Sequence, residues 1–277
     1  MLTFAHISDP HFGADPVGVD ELAVGRHGVD QLGVDQLGVD RARERAERVM
    51  AWLRPMPLDL ILVTGDIADH GEPAEYAEAR EVLKADVPVL ILPGNHDHRD
   101  AFRRGLGPAG EPADSPVNAV HTVGGVVFAL CDSSIPGRNE GVLTPSTLGW
   151  LRAVLSTEDR PTFVAMHHPP TRMHHELFDT MLLTNPDELA ELLADFPQVV
   201  AVLCGHAHSA AATTFAGRPL LVAPGLVSAM RLDWSVDGPM TADAIIDWDQ
   251  PPGVAFHVLD DDGRVTTHYR AVNPSLL

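Results

Sequence analysis

The sequence predicts an α/β fold in which a β-sandwich carries helices on its outside. Three observations predict it. Short apolar runs, such as residues 58–64 and 89–93, stop at glycine and read as buried strands. In the first hundred residues such runs alternate with helical periodicity in the order β-α-β-α-β, which favours parallel pairing. The last seventy residues are rich in strands and end in a hairpin.

Each element has its own signal. Residues 2–8 form a first strand that runs into Asp9-Pro10-His11. Residues 41–54 form a helix, because Ala42, Ala46, Val49, Trp52 and Leu53 fall roughly on one face, and Pro55 ends it. The 58–64 strand follows, then a helix over 73–84 with Pro73 in its first turn. A strand over 87–92 leads to Gly94-Asn95-His96-Asp97 and a short helical stretch. Residues 119–121 and 125–131 pair around Gly124-Gly125. A helix over 144–155 has Pro145 at its first position. A strand over 161–166 runs into His167-His168-Pro169-Pro170, and a helix over 186–195 follows with Asn185 as its N-cap. The strand 199–203 ends in Cys204-Gly205-His206-Ala207-His208. Strands over 211–215, 219–223, 254–259 and 265–271 complete the chain, the last two joined at Asp261-Asp262-Gly263.

Two segments stand apart. Residues 17–40 read as five loose copies of a pentapeptide, a period that matches neither helix nor strand, and are expected to be a low-complexity surface loop, or else a flap or pentapeptide-solenoid turn over the site. Residues 230–250, with Trp234 and Trp248, are expected to form a cap, a subunit contact or plain covering of the sandwich. The remainder, 1–277 as a whole, reads as a single domain, a length sufficient for one sizeable core.

Bulk properties exclude several function classes. A formal net charge of -20 argues against binding nucleic acid polymers or an anionic membrane. No apolar run approaches the ~20 residues of a membrane span. The first residues lack a basic n-region and a cleavage site, and the two cysteines, Cys131 and Cys204, follow apolar runs as small buried residues; both fit the cytoplasm. Fifteen histidines is a high count, and many stand beside Asp, Gly or another His, which fits metal binding better than core filling.

Five turns, each after a predicted strand, carry ligand-type residues: Asp9-x-His11, Gly65-Asp66, Gly94-Asn95-His96-Asp97, His167-His168 and Gly205-His206-x-His208. Singly each is a weak signal. Together, all reaching one edge of the sheets, they point to a metal site. Imidazole, carboxylate and amide oxygen suit borderline divalent ions such as Zn, Mn, Fe or Co, and no thiolate cage is present. Gly65, Gly94 and Gly205 are expected to let the backbone turn sharply. Residues at i and i+2 of an extended segment would point Asp9 with His11, and His206 with His208, the same way.

In this order the five blocks resemble the calcineurin-like metallophosphoesterase superfamily, over a span from Asp9 to His208. The His-His-Pro-Pro block, the turn Gly65-Asp66-Ile67-Ala68-Asp69-His70-Gly71 and the tail Trp248-Asp249-Gln250-Pro251-Pro252-Gly253 resemble its class III cyclic nucleotide phosphodiesterase branch. The resemblance implies a four-layer αββα sandwich and two divalent metal ions. Asp9, His11 and His208 would hold one metal; Asn95, His167 and His206 the other; Asp66 would bridge both. By its place in the block, the resemblance implies that His167 rather than His168 would be the ligand, with His168 behind it. His96 would be the acid that protonates the leaving alkoxide or a donor to the phosphate, and Asp97 would orient His96 or a ligand. Arg99, His98 and His70 would lie at the rim.

The implied activity is hydrolysis of a small-molecule phosphodiester by a metal-activated hydroxide, with 3′,5′-cyclic nucleotides such as cyclic AMP as the expected substrate. A glycerophosphodiesterase or broad phosphatase of the same fold is the alternative. A non-catalytic scaffold would be expected to have lost ligands, and here every ligand position is filled. A homo-oligomer is compatible with the pattern.

Overall fold

The computed structural model describes residues 1–14, 41–107, 112–232, 234 and 245–273. The 17–40 repeat and most of the 230–250 segment lie outside the described residues. The expected alternation of strands and helices is present: β1 (Leu2–Ile7), α1 (Arg41–Leu53), β2 (Leu60–Thr64), α2 (Pro73–Val82), β3 (Val89–Leu92), α3 (Arg99–Gly105), β4 (Ala119–Val123), β5 (Val126–Cys131), α4 (Pro145–Ser156), β6 (Thr162–Met166), α5 (Pro186–Ala194), β7 (Val199–Cys204), β8 (Ala211–Phe215), β9 (Arg218–Val222), β10 (Ala229–Met230), β11 (Ile246–Asp247), β12 (Gly253–Leu259) and β13 (Val265–Ala271).

Two sheets form the sandwich. One has the order β13-β12-β1-β2-β3, with β1, β2 and β3 parallel as the βαβαβ pattern requires. The other has the order β4-β5-β6-β7-β9-β8, with β5, β6 and β7 parallel. Gly124 and Gly125 both take positive φ in the β4–β5 hairpin, a conformation that a two-residue turn demands and that glycine supplies without strain.

Three apolar layers hold these parts together. Phe4, Leu60, Leu62, Leu90, Leu92, Phe128, Phe163 and Leu203 fill the space between the sheets. Phe4 meets Phe128 and Phe163 edge-on at centroid distances of 5.3 and 5.2 Å. Val49, Met50, Leu53, Tyr76 and Phe102 join α1, α2 and α3 to the outside of the first sheet. Leu151, Leu155, Leu189 and Leu193 join α4 and α5 to the outside of the second. The four-layer αββα arrangement is therefore present.

Helix starts follow local chemistry, with one difference. Glu72 and Glu75 form a reciprocal capping box in front of Pro73. Thr144 accepts the N–H of Thr147. Asn185, expected to cap α5, makes no capping bond. Its amide instead accepts from Leu143 N and donates to Leu143 O, because the Leu143 backbone offers both bonds at once. Arg45 is buried on α1 and donates to the carbonyls of Leu226, Trp248 and Gln250, tying those three residues to the helix. No helix among the described residues is long and apolar enough to cross a membrane.

The inter-sheet layer predicts a simple stability result. Replacing Phe163 with alanine leaves a cavity between Phe4 and Phe128 and should destabilise the fold by about 3–5 kcal/mol in denaturant unfolding. A cost under ~1 kcal/mol would show that the two sheets do not share that core.

Candidate metal centre

The ligand-type residues lie where parallel strands end. β1 delivers Asp9 and His11, β2 delivers Asp66, β3 delivers Asn95 and His96, β6 delivers His167, and β7 delivers His206 and His208. The turns interlock through the backbone. Asp9 N donates to Gly65 O, His11 N to Asp66 O, Gly205 N to His167 O and Val227 N to Asp9 O. His206 N donates to the Asp9 carboxylate.

The way these residues converge differs from expectation. Asp9, His11, Asp66, His206 and His208 all have positive φ, between 45° and 67°. The segments are left-handed rather than extended, so the i, i+2 argument does not apply. Left-handed backbone costs a non-glycine residue roughly 1–2 kcal/mol. The interlocked turns hold five such residues in one place, which is a pattern of functional sites. Of the three glycines, only Gly65 needs a positive φ (93°). At Gly94 a Cβ would stand 2.1 Å from Asp66 Oδ1, and at Gly205 one would stand 1.9 Å from Ser8 Oγ. Those two glycines serve close approach instead.

The side chains form two adjoining groups. Asp9, His11 and His208 bring ligand atoms within 4.8 Å of one another, as do Asp9, Asp66 and His167. His208 Nε2 lies 3.6 Å from Asp9 Oδ1, and His11 Nε2 lies 3.6 Å from Asp66 Oδ2. His167 Nε2 lies 3.2 Å from Asp66 Oδ2, 3.1 Å from Asn95 Oδ1 and 3.1 Å from His206 Nδ1. Asp66 thus touches both groups.

The far nitrogen of each ring is held by a partner. His11 Nδ1 donates to Asp69 Oδ1 (2.8 Å), and His167 Nδ1 donates to Thr64 O (2.7 Å). His206 Nε2 donates to Met181 O (2.8 Å), and His208 Nδ1 faces Ser228 Oγ (2.9 Å). This is how proteins orient metal-binding imidazoles. The opposite nitrogens then converge on carboxylate and amide oxygens. His11 Nε2 is buried with no hydrogen-bond partner. A cation satisfies such a donor set, so the residues present fit divalent metal ions.

Electrostatics point the same way. Burial pulls His11 down, but its bond to Asp69 and the charges of Asp66, Asp69 and Asp9 outweigh it and lift the pKa to about 9. Burial likewise lowers His167, but Asp66, Asp9 and the Thr64 carbonyl raise it to about 9. Burial would raise Asp66, yet His167, His96 and His11 hold it well below the usual carboxylate range. His208 is pushed down to about 4 by burial, despite Asp9. Without metal, protons on His11 and His167 answer the buried carboxylates; metal uptake must release them.

His168 and Asp97 support the site from behind. His168 is buried, with Nδ1 accepting from Ser133 Oγ and Nε2 donating to Asn139 O. The Asp97 carboxylate does not reach the His96 ring. It accepts from the N–H groups of Ile67, Ala68 and Gly94, and so locks the Asp66 turn to the Asn95 turn. His96 is partly exposed, donates Nδ1–H to Asp69 O, and packs edge-on against His11 with centroids 4.7 Å apart. Of the three residues expected at the rim, His70 is exposed and bonds to Glu75, His98 donates its N–H to the Tyr76 hydroxyl, and Arg99 is tied to buried Asp132. Asp69 was not among the expected site residues. The signal for it was a carboxylate three places after Asp66, in the same turn as a ligand-type residue.

The backbone resembles that of a dimetal phosphatase from Danio rerio, with a TM-score of 0.67 at 16% identity over 98% of this chain and 96% of that one. That likeness defines the fold. The chain belongs to the calcineurin-like phosphoesterase family, whose model matches residues 2–210. Among curated relatives it is 37% identical to the glycerophosphodiester phosphodiesterase GpdQ of Enterobacter lignolyticus, over 63% of this chain and 64% of that protein. It is 32% identical to the 3′,5′-cyclic adenosine monophosphate phosphodiesterase CpdA of Escherichia coli K12, over 81% of this chain and 79% of that protein. The match therefore spans just under two thirds of the length of the first relative.

A pH dependence follows. His11 and His167 carry a raised pKa of about 9 against an ordinary 6.5. Between those values each binds its proton in the folded state only, so the stabilisation is full below pH 6.5 and is lost as pH climbs through 9. The thermal midpoint of metal-free protein should fall across that window. A flat or rising midpoint between pH 6.5 and 9 would contradict this electrostatic account.

Proposed function

We propose that this protein is a dinuclear metal-dependent phosphodiesterase of the cytoplasm that hydrolyses small phosphodiesters, with 3′,5′-cyclic nucleotides such as cyclic AMP as its substrates. The observation that supports it is the convergence of Asp9, His11, Asp66, Asn95, His167, His206 and His208 around a buried, partnerless imidazole nitrogen. Asp9, His11 and His208 would hold one cation, Asn95, His167 and His206 the other, with Asp66 shared. Mn, Fe, Zn and Co all suit this donor set. When bound, the two cations supply charge neutralisation for the phosphoryl oxygens and lower the pKa of water.

The chain's own residues do the rest. His96 commits Nδ1–H to the Asp69 carbonyl, which leaves Nε2 for the substrate. In its doubly protonated form the ring donates Nε2–H to a phosphoryl oxygen, or gives that proton to the departing alkoxide as the P–O bond breaks and returns to neutral imidazole. Asp97 keeps the Asp66 and Asn95 turns at fixed separation, which positions His96, whose own N–H donates to Asp66 Oδ1. The nearby hydroxyls of Ser8, Ser133 and Ser228 are buried and hydrogen-bonded, so the phosphoryl group passes directly to water. Recognition of the leaving group would fall to loops such as 172–180, which lines a concavity of about 500 Å³ and carries Phe178, whose buried ring packs on His206.

Nucleic acid polymers are disfavoured as substrates by the charge of -20. A glycerophosphodiester substrate is the second reading, favoured by the 37% identity to the GpdQ protein. A non-catalytic scaffold is disfavoured because no ligand position is vacant.

A rate panel with Mn-loaded protein tests the proposal. The panel should contain cyclic AMP, 2′,3′-cyclic AMP, a glycerophosphodiester, a phosphomonoester and bis(p-nitrophenyl) phosphate. Cyclic AMP should give the highest kcat/KM, and Asp66→Ala should lose both metals and all turnover. His96→Ala should keep its metals and lose about 10²–10⁴-fold in kcat. A glycerophosphodiester ahead of cyclic AMP would favour the second reading; no turnover with Mn, Fe, Zn or Co would end the enzymatic one.

A further inference from the structure

A row of polar side chains crosses the otherwise apolar space between the sheets. His6 and His257 are fully buried there, beside Phe4, whose ring lies 4.8 Å from that of His257. These two histidines fill the core, and neither stands beside an Asp, Gly or His in the sequence, the context that pointed to metal binding. Neither belongs to the cation cluster, and the reaction described above uses neither.

Their hydrogen bonds run in one direction. Ser8 Oγ donates to Thr64 O (3.1 Å), and Thr64 Oγ1 donates to Ser8 Oγ (2.9 Å). The single proton of Thr64 Oγ1 is thereby committed, so its 2.9 Å contact with His6 Nε2 requires that nitrogen to donate. His6 Nδ1 must then accept from His257 Nε2, 3.1 Å away. His257 Nδ1 accepts in turn from the hydroxyl of Thr267, 2.8 Å away on the edge strand β13. Every member is satisfied with both rings neutral. Burial and the neighbouring His257 keep His6 well below its ordinary pKa, and burial takes His257 down to about 3.

The chain ends on the carbonyl of Thr64, the same oxygen that accepts Nδ1–H of His167 at 2.7 Å. Gly205 makes room for this junction, since a Cβ there would stand 1.9 Å from Ser8 Oγ and 2.7 Å from Thr64 O. A buried polar row costs desolvation unless it is complete, and this one spans β13, β12, β1 and β2 to reach one peptide group. We infer that His6 and His257 are positioning residues: through Thr64 and Ser8 they fix the carbonyl that orients His167 toward the cation cluster. The inference rests on His167 holding a metal ion, as proposed above.

The test uses His6→Phe, which breaks the row, and His6→Gln, whose amide can both donate to Thr64 and accept from His257. Thr64→Val removes the hydroxyl link while keeping the carbonyl, and stands in if His6→Phe does not fold. One readout is the imidazole Nδ1–H signal of His167 in metal-free protein, followed by NMR as chemical shift and solvent exchange. The other is the Mn²⁺ dissociation constant by calorimetry. His6→Phe or Thr64→Val should move the Nδ1–H signal, speed its exchange, and weaken Mn²⁺ about 10–100-fold, the range for lost partners of metal-binding histidines. His6→Gln should restore both toward the parent protein. An unchanged His167 signal and an Mn²⁺ affinity within about twofold, in a variant that folds, would overturn the inference, whatever happens to its melting temperature. Failure of the parent protein to bind any divalent ion would instead overturn the proposed function, and the Nδ1–H readout would still judge the row.

Discussion

The structure depends on two carboxylates, Asp9 and Asp66, that are almost wholly withdrawn from water at the end of an apolar sandwich. A buried carboxylate is costly unless positive charge or donors answer it. The surrounding residues supply both. His206 N and His96 N donate to them, and His11 and His167 stand against them with raised proton affinity. The parallel strands matter because they end together, so that residues from five of them share one edge. A concentration of negative charge that the fold has gone to such lengths to bury has one chemical use that fits its donors, the binding of divalent cations.

This also reconciles the net charge of -20 with the anionic substrate proposed above. A net negative charge of this size sets an unfavourable long-range field for polyanions. The field at the site is set locally by the cations it would hold rather than by the whole molecule. Thus the overall charge and the local chemistry act at different ranges and do not conflict.

Much of the fold was legible because it rests on patterns of side chains. The apolar runs ended where strands end, and the run of Asp9, Asp66, Asn95, His167, His206 and His208 after successive strands marked one edge of the sheets. What was not legible rests on backbone. Nothing in the residue types of Asp9, His11, Asp66, His206 and His208 announces a positive φ, since neighbouring turns impose it. The partners of His167 and His206 are the carbonyls of Thr64 and Met181, and every residue has a carbonyl. Asn185 bonds across to Leu143 because tertiary contact offered more than the helix end did. Asp97 was expected to orient His96 or a ligand; its three backbone donors come from turns whose closeness only the fold creates. His6 and His257 sit at alternating strand positions like any core residue, and only the pairing of β1 with β12 brings them together.

The left-handed turns are fastened to one another by main-chain bonds, Asp9 to Gly65 and His11 to Asp66 among them. Main-chain bonds hold their shape with no ion between them. A chelator should be able to strip such a scaffold without melting it, and a different ion should find the cradle still formed. For the metal-binding role proposed above, selection among ions of similar chemistry would then fall to supply rather than to folding.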